Sequence, residues 1–346
     1  MCPDDSGVDN IPVPSVQNPA ADTLYGIFWS MPRHSMIAAA AEKYLSKNAK
    51  KRVGQLLAPL GPDGTLPAVA PWADLVKRHS TAPSDPDTQK FLSDARNIGP
   101  NPNAPEYVNG RWHYADIPLG CDSYDPTRYP SFTRDDDIVH VLAGAVNSLQ
   151  GETDRFSPIN ALRLVIHLVG DVHQPLHVGC SFLQKRDSSA EIVTDPETIV
   201  TEHLVSDRGG NALILPIGAG IALHSYWDSK LGGPQPMGFA ADSFDSGDVQ
   251  RFVDRIAVVR AHATTLTATA TAVDITTEAT RWAGQSLVAA RVAYKGLKVD
   301  TLKPHTTSYT VTWDGRQVYD DRCASIVTER MTSAASNLAD LLNAVL

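Results

Sequence analysis

The stretch RLVIHLVGDVHQPLHVG, residues 163–179, decides how this chain folds. His167 and Asp171 stand four residues apart in a long apolar run, so they share one face of a predicted helix. Pro175 ends that helix soon afterwards, and His177 lies just beyond the break, where it can turn back toward the same point. A carboxylate and two imidazoles that converge beside an apolar wall form the donor set of a zinc site.

A second pair with the same spacing lies further along the chain. The segment LHSYWD places His224 and Asp228 four residues apart on another predicted helix. A single histidine on an apolar face is more often a hydrogen-bonded core residue than a metal ligand. The repetition of the pair, in residue types that are poor helix formers, instead favours metal binding.

Three upstream segments offer further polar side chains that could join such a site. They are Trp29 and His34 in FWSMPRH, Asp74 and Lys77 in PWADLVKR, and His113, Tyr114 and Asp116 in GRWHYADIP. Each is a weak signal alone, because tryptophans in turns usually belong to the core and a lysine is most often a solvated surface charge.

Composition restricts the function classes. The chain has 346 residues, of which 42% are hydrophobic and 20% charged, as is typical of a soluble globular protein. It has no apolar run of about 18 residues, so no membrane span is expected. The net charge of -9 excludes nucleic-acid binding over a broad basic surface. Any phosphate must therefore bind at a local site, and bound metal cations could supply the charge there.

The four cysteines make a cysteine-ligated zinc site improbable. Cys2, Cys121, Cys180 and Cys323 include no CxxC pair. We expect at most one disulfide, with Cys121 as a candidate partner.

The hydrophobic pattern predicts an all-α fold, a mainly helical single domain with long loops and a few short strands. Helical patterns cover residues 35–45, 137–150, 159–173, 220–231, 248–264, 275–297 and 323–346. Short strands are predicted near Ile214 and in TTSYTVTW, and residues 79–110 read as loop. We expect residues 1–28 to form a flexible or surface-draped arm, and residues 29–346 the domain. A loop insertion at about 180–210 acts either as a lid or as a mobile surface loop.

Six segments occur in an order that resembles a known family: FWSMPRH, PWAD, RWHYADIP, HLVGDVHQPLHVG, DRGGN and LHSYWD. They resemble the zinc-dependent single-strand nucleases of the S1/P1 type, which share the superfamily and all-α fold of bacterial zinc phospholipase C. The resemblance covers residues 29–346 and implies three zinc ions in one cleft.

The resemblance also implies which side chains hold each ion. The first set is Asp74, His113, His167 and Asp171; the second is His177, His224 and Asp228; the third is Trp29, His34 and Asp171 as a bridging carboxylate. His173, between these ligands in the sequence, is expected to orient a ligand by a hydrogen bond.

The implied activity is endonuclease and 3′-nucleotidase hydrolysis of single-stranded DNA or RNA and of 3′-nucleotides, giving 5′-phosphate products. Zinc lowers the pKa of bound water toward about 7, which supplies a nucleophile for a phosphodiesterase. Asp74 would orient that nucleophile, and Lys77 would stabilise the transition state. The remaining implied roles concern the substrate: Tyr114 as a platform on which a base stacks, Asp116 as an acceptor for base hydrogen bonds, and Asn211 as a further contact.

One departure from the family bears on the third zinc. In the family the tryptophan is the first residue of the mature protein and binds zinc through its free amine, whereas 28 residues precede Trp29. A peptide nitrogen has delocalised its lone pair and cannot serve as that ligand. Three outcomes are open: the arm is cleaved to expose Trp29, the third zinc binds weakly, or the third site stays empty. We favour weak or altered occupancy of the third site. Arg33, where the family has glycine, puts a cation nearby.

Two alternative functions remain open at this stage. One is a phospholipase C-like hydrolase, and the other is a catalytically impaired metal-binding homologue whose arm covers the cleft. Family resemblance implies a secreted or periplasmic monomer. The N-terminus lacks the basic start and apolar core of a signal peptide, so a lipoprotein or cytoplasmic location also stays open.

Overall fold

The structure is a computed structural model that describes residues 31–77, 81–98, 108–231, 246–262, 274–303 and 306–346. The predicted arm at residues 1–28, and Trp29 after it, lie outside the described residues. The helices in chain order are α1 (Met31–Lys43), α2 (Lys47–Leu57), α3 (Leu66–Val69), α4 (Trp72–Leu75), α5 (Pro86–Ser93), α6 (Ala95–Ile98), α7 (Ile138–Leu149), α8 (Pro158–His173), α9 (Pro196–Thr201), α10 (Leu223–Ser225), α11 (Ser246–His262), α12 (Ile275–Tyr294) and α13 (Arg316–Val345). The fold is mainly helical, as predicted.

Helix α8 forms the centre of the fold, and its sequence explains both of its ends. The Ser157 side chain caps it by accepting a hydrogen bond from the Asn160 amide, and Pro158 occupies the first turn, where no amide donor is needed. Gln174 leaves the helical conformation, and Pro175 begins a separate 3₁₀ turn, Pro175–His177. Nearly every residue of α8 is buried, because α7, α13 and α12 pack around it.

The strands are short and form three small sheets at the edge of the helical core. They are β1 (Ile117–Pro118), β2 (Gly179–Cys180), β3 (Phe182–Arg186), β4 (Ser189–Val193), β5 (Val205–Ser206), β6 (Leu213–Leu215), β7 (Ile221–Ala222), β8 (Lys298–Leu302) and β9 (Tyr309–Thr312). β1 and β2 pair in parallel, with Ile117 opposite Gly179. The second sheet has the order β4-β3-β5 and the third β7-β6-β9-β8.

Three regions differ from the sequence prediction. The segment expected as a loop insertion contains β3, β4, α9 and β5, and the Leu302 amide donates to the Ser188 carbonyl beside it. Residues 79–110, read as loop, include α5 and α6, because Asp85 caps α5 and Pro86 starts it. Residues 220–231 are not one helix, since β7 and α10 precede a π-helical turn over Tyr226–Lys230.

Two further observations concern the whole described part of the chain. Cys121, Cys180 and Cys323 are buried free thiols, so the suggested disulfide of Cys121 does not form with either of the other two. Among the described residues, no helix is long and apolar enough to cross a membrane.

Candidate metal centre

Helix α8 carries the first two polar side chains of the centre into the core. The Nε2 atom of His167 lies 3.0 Å from Oδ2 of Asp171, and both side chains are at most 1% exposed. Their spacing of four residues on a helix accounts for this contact. A carboxylate so deeply buried is unfavourable unless cationic or donor groups surround it.

Asp171 is surrounded by imidazoles from several parts of the fold. Its Oδ2 atom lies 2.8 Å from Nδ1 of His113, which ends the 3₁₀ turn Val108–His113. Its Oδ1 atom lies 3.2 Å from Nε2 of His34 on α1 and 3.3 Å from Nδ1 of His177. A single carboxylate therefore reaches side chains that are far apart in sequence, as a bridging ligand must.

Asp74 and Lys77 form the less deeply buried side of the same group. Oδ1 of Asp74 lies 3.7 Å from Nε2 of His167, 3.8 Å from Nδ1 of His113 and 2.8 Å from Nζ of Lys77. Burial raises the pKa of Asp74, but attraction to these three neighbours outweighs it and holds the pKa below its usual value. Asp74 is thus ionised, as a metal ligand needs to be.

A second group lies beside the first. Nε2 of His177 is 3.8 Å from Oδ1 of Asp228, and Nε2 of His224 is 3.4 Å from Oδ2 of the same carboxylate. The two imidazole rings stack with centroids 4.9 Å apart. The Gln174 amide donates a 2.7 Å hydrogen bond to Oδ1 of Asp228 and fixes its orientation.

Backbone carbonyls set the tautomers of three histidines. Nδ1 faces the Ala70 carbonyl at 2.7 Å in His167, the His113 carbonyl at 3.0 Å in His177, and the Gly209 carbonyl at 3.0 Å in His224. A carbonyl can only accept, so Nδ1 must carry the hydrogen. In this tautomer Nε2 is the atom that can carry the lone pair; it faces Asp171 in His167 and Asp228 in His177 and His224. This is the usual arrangement around ligating histidines.

The donor atoms fall into three compact groups in which they all lie within 4.8 Å of one another. The groups are His34, Asp74 and His167; His113, His167 and Asp171; and His177, His224 and Asp228. Nδ1 of His34 and Nε2 of His177 are buried and have no hydrogen-bond partner among the described residues. Burial, with Lys77 nearby, lowers the pKa of His113 to about 3, which keeps its ring neutral. Nitrogen and carboxylate donors in this state fit divalent metal ions.

Comparison with known proteins agrees with this geometry. The family model described as S1/P1 Nuclease matches residues 29–346. The chain belongs to the S1/P1 nuclease family. It is similar to Nuclease S1 of Aspergillus oryzae, with 24% identity over 56% of this chain, and to Endonuclease 2 of Arabidopsis thaliana, with 25% identity over 61% of this chain. Each match spans 58% of the relative's own length.

All but one of the metal ligands expected from the family resemblance lie in this centre. The structure brings together His34, Asp74, His113, His167, Asp171, His177, His224 and Asp228. Trp29 lies outside the described residues. Arg33 is buried, and its guanidinium donates to the carbonyls of Trp227 at 2.8 Å and Leu231 at 2.5 Å, which ties α1 to the turn that carries Asp228.

The residues expected to bind substrate lie around the same centre but are not equally open. Tyr114 follows His113 directly, and the Arg134 guanidinium lies 5.1 Å from its ring centroid, so one face of the ring is covered. Asp116 is buried and lines a cavity. Asn211 closes the DRGGN turn by donating to the Arg208 carbonyl at 3.0 Å.

The prediction that His173 orients a metal ligand is not what the structure shows. Its Nδ1 atom bonds to the Val169 carbonyl at 2.7 Å, and its Nε2 atom to the Asn337 amide of α13 at 2.8 Å. Residues two apart on a helix point about 200° from one another, so His173 faces away from Asp171. Gln174, which the sequence reasoning did not single out, has the orienting role instead. The available signal in the sequence was an amide side chain placed between Asp171 and His177.

Proposed function

We propose that the chain is a zinc-dependent nuclease that hydrolyses single-stranded nucleic acid and 3′-nucleotides to 5′-phosphate products. Family membership supports nuclease chemistry, and the histidine and aspartate donors suit zinc better than magnesium or calcium, which prefer oxygen ligands. Zinc bound here would lower the pKa of a bound water and neutralise charge on the phosphoryl oxygens.

The protein side chains supply positioning and charge. Asp74 is buried, ionised and held 2.8 Å from Nζ of Lys77, which places an acceptor next to a donor at the edge of the centre. The Lys77 side chain is 24% exposed, so its ammonium can reach a phosphate that approaches the metal centre from solvent. A fixed cation there would stabilise the charge that develops on the transferred phosphoryl group.

Preference for single strands follows from the groups around the centre. Tyr114 and Asp116 follow His113 within three residues, so a base bound to them places its own phosphate near the metal groups. A base can stack on an aromatic ring or reach a buried carboxylate only when it is unpaired and unstacked from its neighbours.

The observation that carries the proposal is the position of Asp171, which contacts imidazoles from all three groups of donor atoms. In Asp171→Asn, one ligand charge is lost, so zinc content should fall and single-strand cleavage should drop by about 100-fold or more. Elemental analysis and turnover of single-stranded DNA give the two readouts. Duplex DNA and a phosphatidylcholine emulsion serve as substrates that the wild-type protein should leave largely intact.

The proposal has clear contrary outcomes. A wild-type protein loaded with zinc that cleaves phosphatidylcholine faster than single-stranded DNA is a phospholipase C-like hydrolase instead. A variant that loses zinc while keeping full cleavage shows that the centre does not perform the reaction. Circular dichroism of Asp171→Asn separates loss of metal from loss of fold.

The third zinc is a separate part of the proposal. Nε2 of His34 on α1 lies 3.2 Å from Oδ1 of Asp171 on α8, so these two side chains could share a third ion. We propose that this ion binds weakly while residues 1–28 are present. A chain that begins at Trp29 should bind one additional zinc per molecule and cleave faster. Equal zinc content and equal rates in the two forms would contradict this.

A further inference from the structure

Arg33 is a buried cation on α1 that takes no part in the proposed reaction. It is 6% exposed and directly precedes the candidate ligand His34. Its two terminal nitrogens donate to the Trp227 carbonyl at 2.8 Å and to the Leu231 carbonyl at 2.5 Å. These carbonyls lie on either side of Asp228, so one side chain from α1 holds the short segment that carries a ligand of the second group.

The segment that Arg33 holds is not an ordinary helix, which explains why it needs support. Residues Tyr226–Lys230 form a π-helical turn, in which the Leu231 amide donates to the Tyr226 carbonyl at 2.8 Å. In an α-helix that amide would donate to the Trp227 carbonyl instead. The Trp227 carbonyl thus loses its α-helical partner, and Arg33 supplies a donor in its place. Turns of this kind are rare and occur frequently at functional sites.

The shape of this turn decides where the Asp228 carboxylate points. Its Oδ2 atom lies 3.4 Å from Nε2 of His224, and its Oδ1 atom lies 3.8 Å from Nε2 of His177. A change to α-helical pairing would rotate the carboxylate about the helix axis, away from its position between the two imidazoles. The π-helical turn is therefore part of the ligand geometry.

Arg33 also acts on the second group through its charge, and this effect opposes metal binding. Attraction to the Asp228 carboxylate offsets part of the cost of burying the guanidinium. A fixed cation beside a ligand repels a divalent ion, so an arginine that acted through charge alone would weaken the site. Charge and geometry therefore predict opposite results when this side chain is altered.

Arg33 is not needed to attach α1 to the rest of the protein. Ile37, Ala38 and Ala41 are fully buried, and α1 packs against α3, α8, α11 and α13. Apolar contacts already hold the helix, and a buried charge is a costly way to add stability. The effect of Arg33 is therefore to be sought in the segment that it contacts.

We propose that Arg33 is a positioning residue for the second group: its guanidinium holds the π-helical turn in the shape that keeps Asp228 facing His177 and His224 before a metal ion binds. The proposal rests on the proposed function and adds a residue that acts through a ligand without contacting the ion. A preorganised ligand binds more tightly because it does not have to be ordered during binding. Side chains that orient metal ligands typically contribute about 10- to 100-fold in affinity.

Two substitutions separate the geometry of Arg33 from its charge. Arg33→Lys keeps the charge but lacks the planar fork that spans two carbonyls. Arg33→Gln removes the charge and keeps one amide donor group. The matched controls are Arg260→Lys and Arg260→Gln, because Arg260 also donates to a backbone carbonyl, that of Ser336 at 3.3 Å, but between α11 and α13. Each full-length protein is titrated with Co²⁺ in competition with a chelator, and its visible absorption spectrum is recorded.

The Co²⁺ that binds to the wild type but not to Asp228→Asn marks the second group. Arg33→Lys and Arg33→Gln should each weaken binding of that ion about tenfold and alter its absorption spectrum, while both Arg260 variants match the wild type. In the Asp228→Asn background, Arg33→Lys should change the remaining Co²⁺ binding by less than about twofold, because Arg33 acts through Asp228.

The contrary results are equally specific. Wild-type affinity in both Arg33 variants would overturn the inference, and so would tighter binding in Arg33→Gln, which shows an effect of charge alone. An equal loss in the Arg260 variants would assign the effect to general destabilisation. If only one of the two Arg33 variants folds, it still decides the question, because the inference requires weaker binding in each.

Hydrogen exchange in the wild-type protein tests the inference without any substitution. If Arg33 shapes the turn before metal binds, the Leu231 amide should be protected in the zinc-free protein to within about tenfold of its protection in the zinc-loaded protein. A Leu231 amide that exchanges like that of an unfolded peptide until zinc is added would overturn the inference.

These assays also separate the inference from the proposed function. If the zinc-loaded wild type cleaves single-stranded DNA and the Arg33 variants bind Co²⁺ as tightly as the wild type, only the inference fails. If the Arg33 variants lose the Co²⁺ of the second group and no form of the protein cleaves single-stranded DNA, the proposed function fails and the inference stands.

Discussion

At the scale of single residues, Gln174 shows how a neutral side chain controls a charged one. Its amide nitrogen donates to Oδ1 of Asp228 at 2.7 Å, while its oxygen accepts from the Leu176 amide at 2.5 Å. Both ends of the side chain are thus held, and Asp228 can present its other oxygen to His224. The orientation of the second metal group depends on these two hydrogen bonds.

This contact leads to a prediction about metal affinity. In Gln174→Glu, a carboxylate replaces the donor and faces Asp228 with like charge, so we expect zinc affinity at the second group to fall about 10- to 100-fold. A competition titration with a zinc chelator measures the change. Gln250→Glu is the control, because Gln250 also donates to an aspartate, Asp254, but on the exposed face of α11. Equal affinities in the two variants would show that Gln174 has no positioning role.

The residue scale also shows how far the sequence could predict the site. His167 and Asp171, and likewise His224 and Asp228, were identified from a spacing of four residues, and each pair lies within 3.4 Å. The second pair meets although its segment is a short helix followed by a π-helical turn. The spacing signal survives because any helical turn returns the chain to the same face after about four residues.

His177 was identified from its position just after Pro175, but the candidate ligands His34, Asp74 and His113 could be assigned to the site only through the family resemblance. Asp74 lies on the four-residue helix α4 and His113 at the end of a 3₁₀ turn; both elements are too short to show a periodic pattern, so nothing local places these residues beside α8. The carbonyls of Ala70 and Gly209, which set the tautomers of His167 and His224, have no sequence signal at all, because every residue has a carbonyl.

At the scale of elements, α13 forms hydrogen bonds to the C-terminal end of α8, the helix that carries His167 and Asp171. Arg330 donates to the His173 carbonyl at 3.3 Å and to Ser286 Oγ at 2.9 Å, and Ser286 donates to the Val172 carbonyl at 2.6 Å. The last carbonyls of a helix have no partner within it, so these contacts satisfy groups that would otherwise be buried and unpaired. Burial lowers the pKa of Arg330 to about 10, which still leaves it charged at neutral pH.

The contact between His173 and Asn337 predicts a stability loss. In Asn337→Leu, Nε2 of His173 loses its partner while it remains buried, so the free energy of unfolding should fall by about 1–3 kcal/mol. Urea denaturation of the zinc-loaded protein measures the change. Gln317→Leu, which removes an exposed amide from the same helix, should change stability by less than about 0.5 kcal/mol. A similar small effect for Asn337→Leu would show that this contact is unimportant.

The element scale is also where the sequence prediction was least complete. The long helices were predicted because their apolar positions repeat with helical spacing, as in α7, α8 and α12. Strands β3 and β4 were not, because FLQKR and SAEIV are short and partly exposed, and FLQKR is mostly polar. Such strands are fixed by their pairing with each other and by packing on β8, which are long-range effects that no local pattern encodes.

At the scale of the whole molecule, the free energy of unfolding should depend on pH through Asp207. This carboxyl is buried, and burial raises its pKa to about 6, although Ser181, Tyr294 and the Gly210 amide donate hydrogen bonds to it. Its folded pKa therefore lies above the unfolded value of 3.8. The group favours the folded state fully below about pH 4, and this contribution is lost as the pH rises through about 6.

Asp207→Asn tests this dependence. From pH 3.5 to pH 7 the wild type should lose on the order of 3 kcal/mol of stability relative to the variant, since one pKa unit corresponds to about 1.4 kcal/mol. Ser181 Oγ can reverse its role and accept from the new amide. Unfolding titrations at several pH values give the free energy of unfolding of each protein. In the difference between the two free energies, contributions from the candidate metal centre cancel because both proteins contain it. A difference that does not vary with pH would contradict the assigned shift.

The hydrogen bonds between Ser181 and Asp207 join the two ends of the segment 182–206, and this has a consequence for how the protein could be altered. Because the chain leaves and re-enters the helical body at almost the same point, the 25 residues between them behave as a replaceable module. Exchanging that module should leave the candidate metal-binding side chains in place, since Ser181 and Asp207 remain. This segment could then differ between relatives, or be engineered, without disturbing the candidate metal centre.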